Sequence, residues 1–80
     1  MNQERYNQFV IEYVKEALIQ GDNNVDLAAD YLLGLKKPGF LSKNEQREAY
    51  TRTRKIFGAY RDRPLWFVLK CLGITQEDLG

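Results

Sequence analysis

The stretch Arg47–Arg63, REAYTRTRKIFGAYRDR, holds six of the chain's twelve basic residues and two of its eleven acidic ones. Arg47, Arg54 and Arg61 recur every seven residues, which sets them near one line of a helix. The planar guanidinium fork pairs with phosphate or carboxylate through parallel N–H bonds. The chemistry on offer is therefore binding, of a polyanion or of an acidic protein surface, and not bond making. Arg52, Lys55 and Arg63 belong to the same stretch, and Lys36, Lys37 and Lys43 precede it. Tyr50 falls where the basic arc meets the apolar one, a place from which a ring can stack on a base or a partner. The plainer reading is a solvated helix face, partly neutralised by an acidic first half.

Other chemistries find little support. The chain has no histidine, which removes the commonest general base and metal ligand. Its one cysteine, Cys71, lies in an apolar run; it reads as a buried, inert thiol and cannot build a zinc site. No glycine-rich phosphate loop is present. Asp22, Asp26 and Asp30 stand at i, i+4, i+8 and suggest either a weak cation site, a docking patch for basic residues, or an N-cap with solvated surface. Glu12 and Glu16 share a face, but general acid–base work by such a pair needs a cleft that a small bundle hardly offers. No enzymatic activity and no cofactor are expected.

The elements that must position these residues read as helices. In ERYNQFVIEYVKEALIQG, Tyr6, Phe9, Val10, Tyr13, Val14, Ala17 and Leu18 make one apolar stripe at helical period. Gly21 then offers a left-handed C-terminal cap, and Asp22, Asn23 and Asn24 offer a turn and an N-cap. VDLAADYLLGLKK is apolar over more than half its girth, and Pro38-Gly39 ends it. Ser42 and Glu45 form a capping box that opens a third helix, within which Gly58 implies either close packing or a weak point. Pro64 suits a first helical position. PLWFVLKCL, with Lys70 its only charge, is expected in the centre of the fold or at an interface. Gly73-Ile74 fits a C-cap, and Thr75 with Asp78 a second, weaker capping box. The expected fold is all-α: four helices at about 3–20, 24–36, 43–60 and 64–72 plus a short C-terminal turn, one domain over 1–80.

Two short stretches resemble parts of known families. NNVDLAADYLLG is similar to the last helix of ubiquitin-associated domains over twelve residues; only one helix precedes it and that family's loop motif is missing, so ubiquitin binding is not carried over. LKCLGITQEDLG resembles the opening of a phage-repressor-like helix-turn-helix. No recognition helix follows within the eighty residues, so that mode of DNA reading is not carried over either.

The net charge is +1, distributed as −4 over residues 1–35 (six acids, two bases), +6 over 36–63 (nine bases, three acids) and −1 over 64–80 (one base, two acids). Such polarity steers a charged partner, or satisfies itself within the fold or across a dimer. No apolar run nears the ~20 residues that cross a bilayer, the N-terminus lacks a signal-peptide core, and a lone cysteine suits a reduced compartment; a cytoplasmic protein without membrane contact is expected. The function expected is a small regulatory or adaptor module that binds a protein with an acidic surface. The alternative is a nucleic-acid-binding module that meets DNA or RNA with the third helix. Surplus apolar surface also suggests a homodimer with Trp66 or Phe67 at or next to the contact.

Overall fold

The computed structural model describes residues 3–34 and 44–80. Its helices are α1 (Gln3–Gln20), α2 (Val25–Gly34), α3 (Asn44–Ala59) and α4 (Leu65–Leu72), followed by a 3₁₀ turn at Glu77–Leu79. No strand occurs among the described residues. The fold is an all-α bundle, as the periodicity predicts. The radius of gyration, 11.6 Å, is close to the ~12 Å of a compact chain of this length.

The stripe on α1 folds as its spacing dictates. Tyr6, Val10, Val14, Ala17 and Leu18 are buried, and Phe9 and Tyr13 are half-buried beside them. Val25, Ala28, Ala29 and Leu32 of α2 meet Ala49 and Phe57 of α3 in the same core. Thr53, the buried polar residue of α3, donates its hydroxyl to the Ala49 carbonyl at 2.7 Å and so leaves no polar atom of its own unmatched. Among these helices α1, α2 and α3 pack on one another, α4 packs on α3, and the 3₁₀ turn packs on α1.

The joint between α1 and α2 departs from expectation. Gly21 is not left-handed; Asp22 (φ 54°) and Asn23 (φ 60°) take that conformation instead, which short polar side chains tolerate best after glycine. The Asn23 N–H closes α1 on the Leu18 carbonyl at 2.8 Å. Gly21 serves another need. An added Cβ there would lie 2.5 Å from the Ala28 nitrogen and 2.8 Å from its Cα, so α2 crosses the end of α1 at backbone distance. Asn24 is the N-cap of α2: its Oδ1 accepts the Leu27 N–H at 3.0 Å.

Of the two settings expected of PLWFVLKCL, α4 does not take the first, the centre of the fold. Val68, Leu69 and Leu72 enter the core, but Leu65 and Phe67 are only half-buried and Trp66 is 61% exposed. Two turns of helix present one face to α3, and three residues fill it. Pro64 stands one position earlier than expected, as the extended residue before the helix (ψ 158°). The exit is as predicted. Gly73 is left-handed at φ 77°, its N–H reaches the Lys70 carbonyl, the Ile74 N–H reaches Leu69, and Ile74 is buried, the bonding of a Schellman cap. Thr75 and Asp78 exchange side chain–backbone bonds at 2.9 and 3.3 Å, the reciprocal pattern of a capping box. The Ser42–Glu45 box lies outside the described residues, as do the last two positions expected of the second helix.

Candidate functional site

The basic residues of α3 and of the turn after it take several settings. Three guanidiniums bond to the chain's own carbonyls and carboxylates. Arg61 donates from Nε to Asp26 Oδ1 at 2.6 Å, and its Nη2 meets Asp30 and the Asp26 carbonyl. Asp26 and Asp30 lie one turn apart on α2 and form a carboxylate pair that this one side chain bridges. The two carboxylates raise the pKa of a group that is already permanently charged, the Asp26 bond contributing most. The docking patch for basic residues that the aspartate spacing suggests is thus occupied from within the chain. No histidine, cysteine or acidic cluster among the described residues could hold a metal ion.

Arg54 and Arg52 close helix ends. Nη2 of Arg54 donates to the Leu33 carbonyl in the last turn of α2 at 3.1 Å, and Nη2 of Arg52 donates to the Cys71 carbonyl in the last turn of α4 at 3.0 Å. Such carbonyls have no partner within their own helix, and a cation there also meets the negative end of the helix dipole. Arg52 further reaches the Tyr6 hydroxyl at 3.5 Å. Arg54 lies 5.4 Å above the Tyr50 ring, within cation–π range, while its own Nε is buried without a partner.

Tyr50 is 1% exposed and makes an edge contact with Tyr13 at 5.3 Å. It is a core ring, closed to a stacking ligand in this packing. The Tyr13 hydroxyl is buried and unpartnered. Burial raises its pKa, and the nearby Gln46 amide, which does not complete a hydrogen bond, offsets this only in part. Burial also raises the pKa of Tyr31, whose hydroxyl donates to Glu16 at 3.3 Å.

Arg47 and Lys55 are exposed and line a shallow groove of about 420 Å³ with Tyr6, Glu48, Thr51 and Arg52. Arg63 is exposed as well and lies 5.6 Å above the Phe67 ring. Lys36, Lys37 and Lys43 lie outside the described residues. Of the seven-residue row, Arg54 and Arg61 therefore turn to α2, and Arg47 remains at the groove.

A second surface has no counterpart among the basic positions. Ile19 and Trp66, 72% and 61% exposed, each line one of two further grooves. The all-round hydrophobicity of PLWFVLKCL is the sequence signal for it, because a helix apolar on every side needs cover beyond its own fold.

Comparison with protein-family models, with curated proteins and with solved structures found no match to this chain. No helix among the described residues is long and apolar enough to cross a membrane.

Proposed function

We propose that this protein is a small non-enzymatic adaptor or regulatory module that docks a protein partner through the partner's carboxylates. The observation that supports this reading is a pair of exposed cations at one groove of α3. Arg47 and Lys55 of α3 are both exposed and line one groove with Thr51 and Tyr6. Eight residues of helix put these two cations about 12 Å apart. A face that tracks a nucleic-acid backbone neutralises many phosphates in succession, often six or more. Two cations with Glu48 between them suit a short acidic stretch of protein better.

Affinity capture on the immobilised protein, with and without nuclease, tests the proposal when wild type is compared with the double variant Arg47→Glu/Lys55→Glu. A partner that resists nuclease and is lost with the variant is the expected result. Capture that disappears on nuclease treatment would transfer the function to DNA or RNA. A log–log salt slope near −2, about 0.9 per phosphate contact, would then be expected from two cations. Undiminished capture by a folded variant would remove the groove from consideration.

A further inference from the structure

We propose that the apolar strip around Trp66 is a docking surface for an amphipathic helix of a partner protein, one that carries carboxylates beside its apolar stripe. Two grooves make up the strip. The larger, about 550 Å³, is lined by Leu18, Ile19, Leu65 and Leu79 together with Lys15. The smaller, about 320 Å³, is lined by Trp66, Leu69 and Ile74 together with Lys70. Gln76 borders both, and Leu65 and Trp66 are neighbours in the chain, so the grooves join across the start of α4.

Three properties choose the occupant. First, the anchors are apolar and large: Trp66 and Ile19 are mostly exposed, and an exposed tryptophan beside a cavity is the residue type that most often dominates a protein interface. Second, every charged side chain lining either groove is a lysine. An acidic segment is complementary to that edge, and a basic one is rejected by it. A second copy of this chain would bring the same lysines to the contact. Third, the walls are set before binding. The left-handed Gly73 exit and the Thr75–Asp78 capping box fix the segment behind the smaller groove, which lowers the ordering cost of association. A rigid trough with two apolar pockets suits the i, i+3/i+4, i+7 anchors of a helix, which span about 10 Å.

The strip is independent of the Arg47–Lys55 groove. Tyr6 and Leu18 mark the two surfaces on α1, twelve residues or about 18 Å apart. A protein with both can hold two partners at once, and failure at one surface leaves the other standing.

The test uses a synthetic helical peptide of about four turns with leucines at the spacing above and glutamates on both flanks, titrated into the whole labelled protein and followed by heteronuclear NMR. A control peptide carries lysine at each glutamate position. The expected result is movement of the amides of Ile19, Leu65, Trp66 and Gln76 in wild type and equally in Arg47→Glu/Lys55→Glu, and binding at least about tenfold tighter for the glutamate peptide. Lys15→Glu/Lys70→Glu should reverse the preference. Trp66→Ala should abolish binding of both peptides, and its exposed side chain leaves the fold intact. The proposal is overturned if neither peptide moves these amides, if the two peptides bind equally, or if the same amides move with protein concentration alone, which would make a second copy the occupant.

Discussion

Replacing Gly21 by alanine puts one methyl group where α1 and α2 meet. The new Cβ would stand 2.5 Å from the Ala28 nitrogen, 2.8 Å from its Cα and 2.9 Å from the Leu27 carbonyl carbon. Carbon atoms in ordinary contact lie about 3.5–4.0 Å apart, so the two backbones must part by about 1 Å. All three obstacles are main-chain atoms and none can swing away. Ala28 is fully buried in the core, so the displacement is not taken up by solvent. Overpacking of this kind costs about 1–3 kcal/mol, and the absence of a yielding side chain argues for the upper end. Alanine regains about 0.4–1 kcal/mol by stiffening the unfolded chain. A net loss of about 2 kcal/mol is substantial for a domain stable by roughly 4–12 kcal/mol, and corresponds to a fall in Tm of about 8–16 °C. Thermal unfolding followed by far-ultraviolet circular dichroism, paired with urea titration to check that m is unchanged, measures it. A variant that melts with the wild type would refute the backbone-distance crossing of α1 and α2.

Gly58→Ala is the opposite case: its nearest neighbours would be the Leu33 methyl groups at 3.7 and 3.8 Å, ordinary contact, so stability should rise by up to about 1 kcal/mol and the midpoint of unfolding with it. Asn24→Ala removes the cap on the Leu27 N–H and should cost about 0.5–2 kcal/mol, read from the urea midpoint. Tyr13 has its pKa raised by burial, so the native state keeps a proton that the unfolded chain gives up near pH ~10; stability present below that pH should decline as pH rises above it, and Tyr13→Phe should flatten the decline in urea midpoints measured across the alkaline range. Arg61→Gln frees the Asp26–Asp30 pair and should lower stability by an amount that shrinks as salt is added; a double-mutant cycle with Asp30→Asn at low and high salt checks the coupling, which should be absent if the contact is idle.

Local pattern made most of the architecture legible. The α1 boundaries follow from a seven-member apolar stripe, and the exit of α4 from Gly73 and Ile74, because helical period and capping act over a few residues. What stayed hidden acts over longer distances. Arg61 finds Asp26 and Asp30 across more than thirty residues, and Arg52 finds Cys71 across nineteen; no helical wheel records which carbonyl or carboxylate will face an arginine. The same row that resembles a polyanion track is therefore divided between helix ends, an internal clamp and a groove. Gly21 shows the limit at a single residue. Its type announces a special position, but only the packing of α2 tells whether conformation or proximity is the reason. For α4 the composition was plain and the geometry was not, since an eight-residue helix turns only part of its apolar girth toward α3.

The exposure of Trp66 has a practical corollary. It is the chain's single tryptophan, and 61% of it meets solvent in the native state. Indole emission shifts when water can relax around the excited ring, and here water already does so before unfolding. Unfolding therefore shifts its emission less than it would that of a buried indole. The same placement makes the ring a native optical reporter: anything that covers the start of α4 changes its colour without any label being introduced.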